Sequence, residues 1–68
     1  MGFNSYVNEV RVRRSMADLE KNPEFHNFKI AYLAEKYGFS SHSKYSAAFK
    51  AVTGITPSLF IARLQQNT

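Results

Sequence analysis

Apolar residues between 38 and 54 fall at Tyr45, Ala48, Phe49 and Val52. Steps of three and four put these side chains in one stripe along a helix. That helix is predicted to begin near Ser41, whose hydroxyl suits an N-cap, and to stop before Gly54. Ser43, Ser46, Ala47 and Lys50 obey the same spacing on the opposite side, so the helix has an apolar inner stripe and a small, polar outer one. Upstream, Ile30, Leu33, Ala34 and Tyr37 repeat the rule and predict a helix over about 29–37, with Asn27 as a possible cap and Gly38 closing it. Downstream, Thr56-Pro57 supplies an N-cap and a favoured first-turn proline for a short helix over about 57–64, with Phe60 and Leu64 as its apolar residues.

The opening segment behaves differently. Residues 4–21 read as a helix that Asn4 could cap and that Asn22-Pro23 stops, because a residue before proline is pushed out of helical geometry. Its apolar residues change sides: Phe3, Tyr6, Val7 and Val10 cluster on one flank, and Val12, Met16 and Leu19 on nearly the opposite one. Such a helix is predicted to lie between two bodies; the plainer reading is one wide apolar face. The connector PEFHNF (23–28) is expected to fold Phe25 and Phe28 back on the core. No strand-like alternation occurs, so the chain reads as all-α: one domain over 1–68, a small bundle of about four helices.

Composition narrows the partner. Residues 1–35 balance five basic side chains with five acidic ones, whereas residues 36–68 carry Lys36, Lys44, Lys50 and Arg63 and no acid. The whole net charge of +4 thus sits in the half holding the polar outer stripe, which points to a polyanion, nucleic acid or an anionic membrane. The 44% apolar content is that of a folded domain. Without cysteine there is neither a disulfide nor a thiolate metal site. His26 and His42 fall in different elements and the acids are scattered, so no metal, cofactor or enzyme chemistry is expected; no glycine-rich phosphate loop is present either.

Two short helices joined through a glycine-containing turn form a helix-turn-helix, whose second helix enters the major groove. Here that helix spans about 41–53. Ser41, His42, Ser43, Lys44 and Ser46 offer donors and acceptors, Ala47 keeps the face slim, and Lys50 suits a phosphate or a guanine. Lys29 and the free N–H groups after it suit a phosphate. An ordinary solvated helix face is the bland alternative for all of these. Among the arginines, Arg13 reads as a surface residue pairing with Glu9 and Asp18, while Arg11 and Arg14 are candidates for a phosphate or another body.

Leu33-Ala34, Gly38-Phe39, Tyr45, Phe49-Lys50, Gly54, Thr56-Pro57 and Phe60 keep a full set of family spacings. In these, the chain resembles the DNA-binding domain of the AraC/XylS-type transcription regulators, whose fold is homeodomain-like. NSYVNEVRVRR resembles that family's linker helix. The resemblance implies a linker-type helix over 4–21, a second helix-turn-helix unit with its C-terminal helix over 29–64, and sequence-specific binding to double-stranded DNA. It implies further that a first helix-turn-helix unit, or a dimer partner, covers the Phe3–Val10 flank, and that the chain is a fragment of a longer bacterial, cytoplasmic regulator. The rival reading is a protein-binding helical module that uses that flank. Membrane contact is not expected, because the charges of the first helix are balanced.

Overall fold

The computed structural model describes residues 3–66, with side chains from Ser5 onward. Four α-helices follow one another: α1 (Phe3–Lys21), α2 (Ile30–Lys36), α3 (His42–Thr53) and α4 (Pro57–Gln66), with a 3-10 segment at Pro23–Asn27 between α1 and α2. No strand occurs among the described residues. The all-helical, helix-turn-helix expectation holds.

Each boundary has a local cause. Lys21 ends α1 ahead of Asn22-Pro23. At the end of α2 the Phe39 N–H donates to the Ala34 carbonyl at 2.8 Å and the Gly38 N–H to the Glu35 carbonyl at 3.1 Å. These two bonds make a Schellman motif, which needs a left-handed residue at Gly38, and its φ is +87°. Ser41 accepts the Lys44 N–H at 3.2 Å and so caps α3. Gly54, also at φ +87°, closes α3 with one bond from its N–H to the Lys50 carbonyl at 2.7 Å. Thr56 caps α4, accepting the Leu59 N–H at 3.3 Å, and Pro57 follows as the first helical residue.

The core gathers Val12 and Leu19 of α1, Leu33 and Ala34 of α2, Tyr37, Phe39, Tyr45 and Phe49, and Ile61 of α4. Phe39, Tyr45, Phe49 and Phe60 form a chain of rings with successive centroids 5.3, 5.8 and 5.4 Å apart. Such tilted and edge-on packing adds to the burial itself. Polar ties also join α1 to what packs on it. Tyr45 Oη donates to Ser15 Oγ at 3.1 Å, and Ser15 donates onward to the Val12 carbonyl at 2.7 Å, with Ser15 fully buried. Tyr37 Oη donates to Asp18 Oδ2 at 2.7 Å.

Several expectations are corrected. α1 already includes Phe3, so Asn4 stands inside the helix; its side chain, and that of Phe3, lie outside the described residues. Asn27 does not cap α2: Lys29 holds the cap position in an extended conformation, with no side-chain cap bond, because the 3-10 turn absorbs Asn27. Phe28 does not fold into the core. It is exposed and stacks on Phe25 (5.1 Å) and Tyr32 (5.0 Å), while Phe25 alone packs inward. Arg13 pairs with Glu9 at 3.0 Å and not with Asp18, whose carboxylate takes the Tyr37 hydroxyl. Ile61, not singled out in the sequence, is buried on α4 together with Pro57.

The side change within α1 is real. Val12 and Leu19 are fully buried and Met16 packs on the core, whereas Tyr6 is 68% and Val10 46% exposed.

Candidate nucleic-acid interface

α3 presents its outer side because its inner side is locked. Tyr45 and Phe49 are fully buried, and Ala48 and Val52 pack beside them. At about 100° per residue the direction opposite this stripe is centred on Ala47. Around it lie Ser43, Lys44, Lys50 and Ala51, all exposed. Ala51 was not singled out in the sequence, although it stands one turn beyond Ala47. His42 is exposed because it opens the helix, not because it lies on the central line. Ser46 sits on the flank and is half-buried. The Ser41 oxygen is engaged in capping the helix, and its residue is exposed. Lys29 is exposed, apart from this face, at the start of α2. The structure therefore puts Ser43, Lys44, Ala47 and Lys50 on one side of α3 from its first turn to its last, with Ser41 and His42 at the helix start and Ser46 at the margin.

Electrostatics favour an anion there. Lys44 and Lys50 have no ion-pair partner among the described residues, and the Arg13–Glu9 pair lies on α1. No acid follows Glu35 in the chain. The face carries small and cationic side chains, which suit close approach to a sugar–phosphate backbone.

α1 borders the same face. A groove of about 640 Å³ runs between its first half and the start of α3, with Asn8 and Arg11 on one bank and Lys44 and Ala47 on the other. Arg11 is held by donating from Nη1 to the Gly38 carbonyl at 3.1 Å, and its guanidinium carbon lies 6.0 Å from the Phe39 ring centroid. Gly38 has no side chain to obstruct this: a Cβ there would sit 3.2 Å from the Arg11 guanidinium. Arg11 thus has a second task that the sequence did not reveal, since its partner is 27 residues away.

The buried phenols mark the frame behind the face. Burial, followed by the hydrogen bond to Asp18 and that carboxylate's charge, pushes the Tyr37 hydroxyl far above the ordinary phenol range, with Arg14 opposing. Burial also pushes Tyr45 up, against the Ser15 hydrogen bond. Both stay protonated donors at neutral pH. No group of three or more potential metal-ligating side chains gathers among the described residues. No described helix is long and apolar enough to cross a membrane.

Comparison with known proteins agrees with this geometry. The family described as bacterial regulatory helix-turn-helix proteins, AraC family, matches residues 23–62, which hold the 3-10 turn, α2, α3 and the start of α4. The chain is 36% identical over 67 residues to the Msm operon regulatory protein of Streptococcus mutans serotype c. That match spans 98% of this chain and 23% of the relative. No solved structure gives a significant match. With α3 closed behind by its aromatic anchors and open in front with lysines, and with the family's pattern covering the helix-turn-helix, the chain belongs to the AraC family of bacterial DNA-binding transcription regulators.

Proposed function

We propose that this chain reads a DNA sequence by laying α3 in the major groove. The observation that carries the reading is the division of α3 into a side fully closed by Tyr45 and Phe49 and a side where Ser43, Lys44, Ala47 and Lys50 stand exposed without an acid. His42, Ser43 and Ser46 are the base-edge contacts, Ala47 permits close approach, and Lys50 and Lys44 take phosphate or guanine. Ser41 presents its exposed end to the backbone, and Lys29 supplies a phosphate contact at the start of α2. Residues 4–21 act as a linker-type helix and residues 29–64 as the helix-turn-helix unit with its C-terminal helix.

The match to 23% of an operon regulatory protein supports a further reading, that the unit works joined to other segments of a cytoplasmic bacterial regulator. One unit neutralises few phosphates, so alone it binds with a Kd of about 10⁻⁴–10⁻⁶ M. Tethering to a first helix-turn-helix unit, or dimerisation, raises this affinity. The exposure of Tyr6 and Val10 favours one additional role for the first half of α1, as the surface that such a partner covers. That same exposure keeps the rival open: a helical protein-interaction module that binds through α1 and not through α3.

The deciding experiment is a titration of isotope-labelled chain with random-sequence duplex at low salt, followed through backbone amides. Shifts gathered over 41–50 and the start of α2 support the reading. Shifts confined to the first half of α1, or none at all, overturn it.

A further inference from the structure

Behind the turn between α2 and α3 lies a second cationic groove. Arg11, Arg14 and Lys36, together with Val10, Tyr37 and Gly38, line a space of about 320 Å³. It shares Arg11 and Gly38 with the larger groove that holds Lys44 and Ala47. Four exposed cations, Lys44, Arg11, Arg14 and Lys36, therefore follow one another along connected grooves, and no carboxylate lines either one.

No acid forms an ion pair with the cations of this groove among the described residues. Asp18 stands beside the groove, where it accepts the hydroxyl of the lining Tyr37 at 2.7 Å, while Glu9 pairs with Arg13. Arg14 and Lys36 have no ion-pair partner among the described residues. Lys36 Nζ lies over the rings of Phe25 (5.4 Å) and Tyr37 (6.0 Å), which hold the ammonium without neutralising it. Arg11 is fixed in place by the Gly38 carbonyl.

We propose that Arg14 and Lys36, with Arg11 between them and the α3 face, form a phosphate-binding site at the back of the helix-turn-helix turn. Three cations beside the one carboxylate of Asp18 leave an excess of positive charge, and a phosphate group relieves the resulting repulsion while accepting charge-assisted hydrogen bonds. The phosphate belongs to the backbone of a bound duplex or to a free phosphate compound. Continuity with the Lys44 groove favours the duplex, and for that source the inference rests on the DNA-binding reading above.

The test compares the 68-residue chain with the variant Arg14→Gln/Lys36→Gln, and with Arg14→Lys/Lys36→Arg as the charge-keeping control. All are checked for folding by thermal unfolding. In the first arm, binding of random-sequence duplex is measured across a salt series. Every phosphate that the protein no longer neutralises flattens the log–log salt dependence by about 0.9, so the slope of the double variant, which loses one phosphate site, drops by about 0.9 and the control keeps its slope. Should the double variant melt early, Arg14→Gln and Lys36→Gln singly carry the test, each flattening the slope by up to about 0.9. In the second arm, pyrophosphate without DNA is titrated while the amides of residues 10–14 and 36–38 are followed.

A flattened slope supports a duplex phosphate in the site. Saturable pyrophosphate shifts that vanish in the double variant, with an unchanged slope, support a free phosphate compound. Unchanged slope and no such shifts, in a chain that binds duplex, overturn this inference and leave the DNA-binding reading standing. A wild-type chain that binds no duplex overturns that reading instead, and the pyrophosphate arm still decides the site.

Discussion

The Tyr45 hydroxyl donates to Ser15 Oγ at 3.1 Å, across 30 residues of chain, and both groups are shut off from water. α3 is thereby set on α1 by a directional bond as well as by packing. Ser15→Ala leaves the Tyr45 hydroxyl buried without an acceptor and is expected to cost about 1–3 kcal/mol. Tyr45→Phe removes the donor itself, and Ser15 keeps its bond to the Val12 carbonyl, so it costs less. Chemical denaturation of the two variants checks the order; equal costs would mean that the bond contributes nothing directional.

Gly38 and Gly54 share a φ of +87° but not their surroundings. A Cβ on Gly54 meets nothing within 4 Å, whereas one on Gly38 meets the Arg11 guanidinium at 3.2 Å. Gly54→Ala therefore carries only the backbone cost, about 1–2 kcal/mol. Gly38→Ala adds displacement of Arg11 and is expected to melt at a lower temperature than Gly54→Ala. Adding Arg11→Ala to Gly38→Ala removes the crowding but not the backbone strain, so the double variant should cost less than the sum of the two single changes.

Alkali should loosen the domain through its buried phenols. Tyr37 and Tyr45 hold their protons to higher pH when folded than the ordinary phenol value of 10.0. Between that value and the raised one the unfolded chain has released protons that the folded chain retains, so stability falls as pH rises. The contribution is intact below about pH 10 and is lost progressively above it. Thermal midpoints measured at about pH 8, 10 and 11 should fall more steeply in the native chain than in Tyr37→Phe/Tyr45→Phe.

On DNA, Lys50→Ala is expected to weaken binding to every sequence and to flatten the salt dependence by about 0.9. His42→Ala and Ser46→Ala should instead change which sequences are preferred, with the half-buried Ser46 having the smaller effect. Binding-site selection from a random pool, run on each variant, separates the two behaviours. An identical profile for all three would place recognition elsewhere.

Helices and core were legible because their signals are local. Tyr45, Ala48, Phe49 and Val52 announce a buried stripe by spacing alone, and Gly38 and Gly54 mark helix ends whatever surrounds them. The outer face of α3 was legible as the complement of that stripe. Ser15, Arg11 and Asp18 were not, because each takes its role from a partner 19 to 30 residues away. A serine between Arg14 and Met16 looks like surface until Tyr45 covers it. Phe28 misled for the opposite reason: an aromatic near Phe25 suggests core, but it follows the 3-10 turn in an extended conformation and stays exposed while Phe25 packs inward.

Nothing on the front of α3 helps to hold the protein together, since every anchoring side chain of that helix points the other way. Positions 43, 44, 47, 50 and 51 can thus change identity with little cost to the packing, so stability places few demands on what that surface displays.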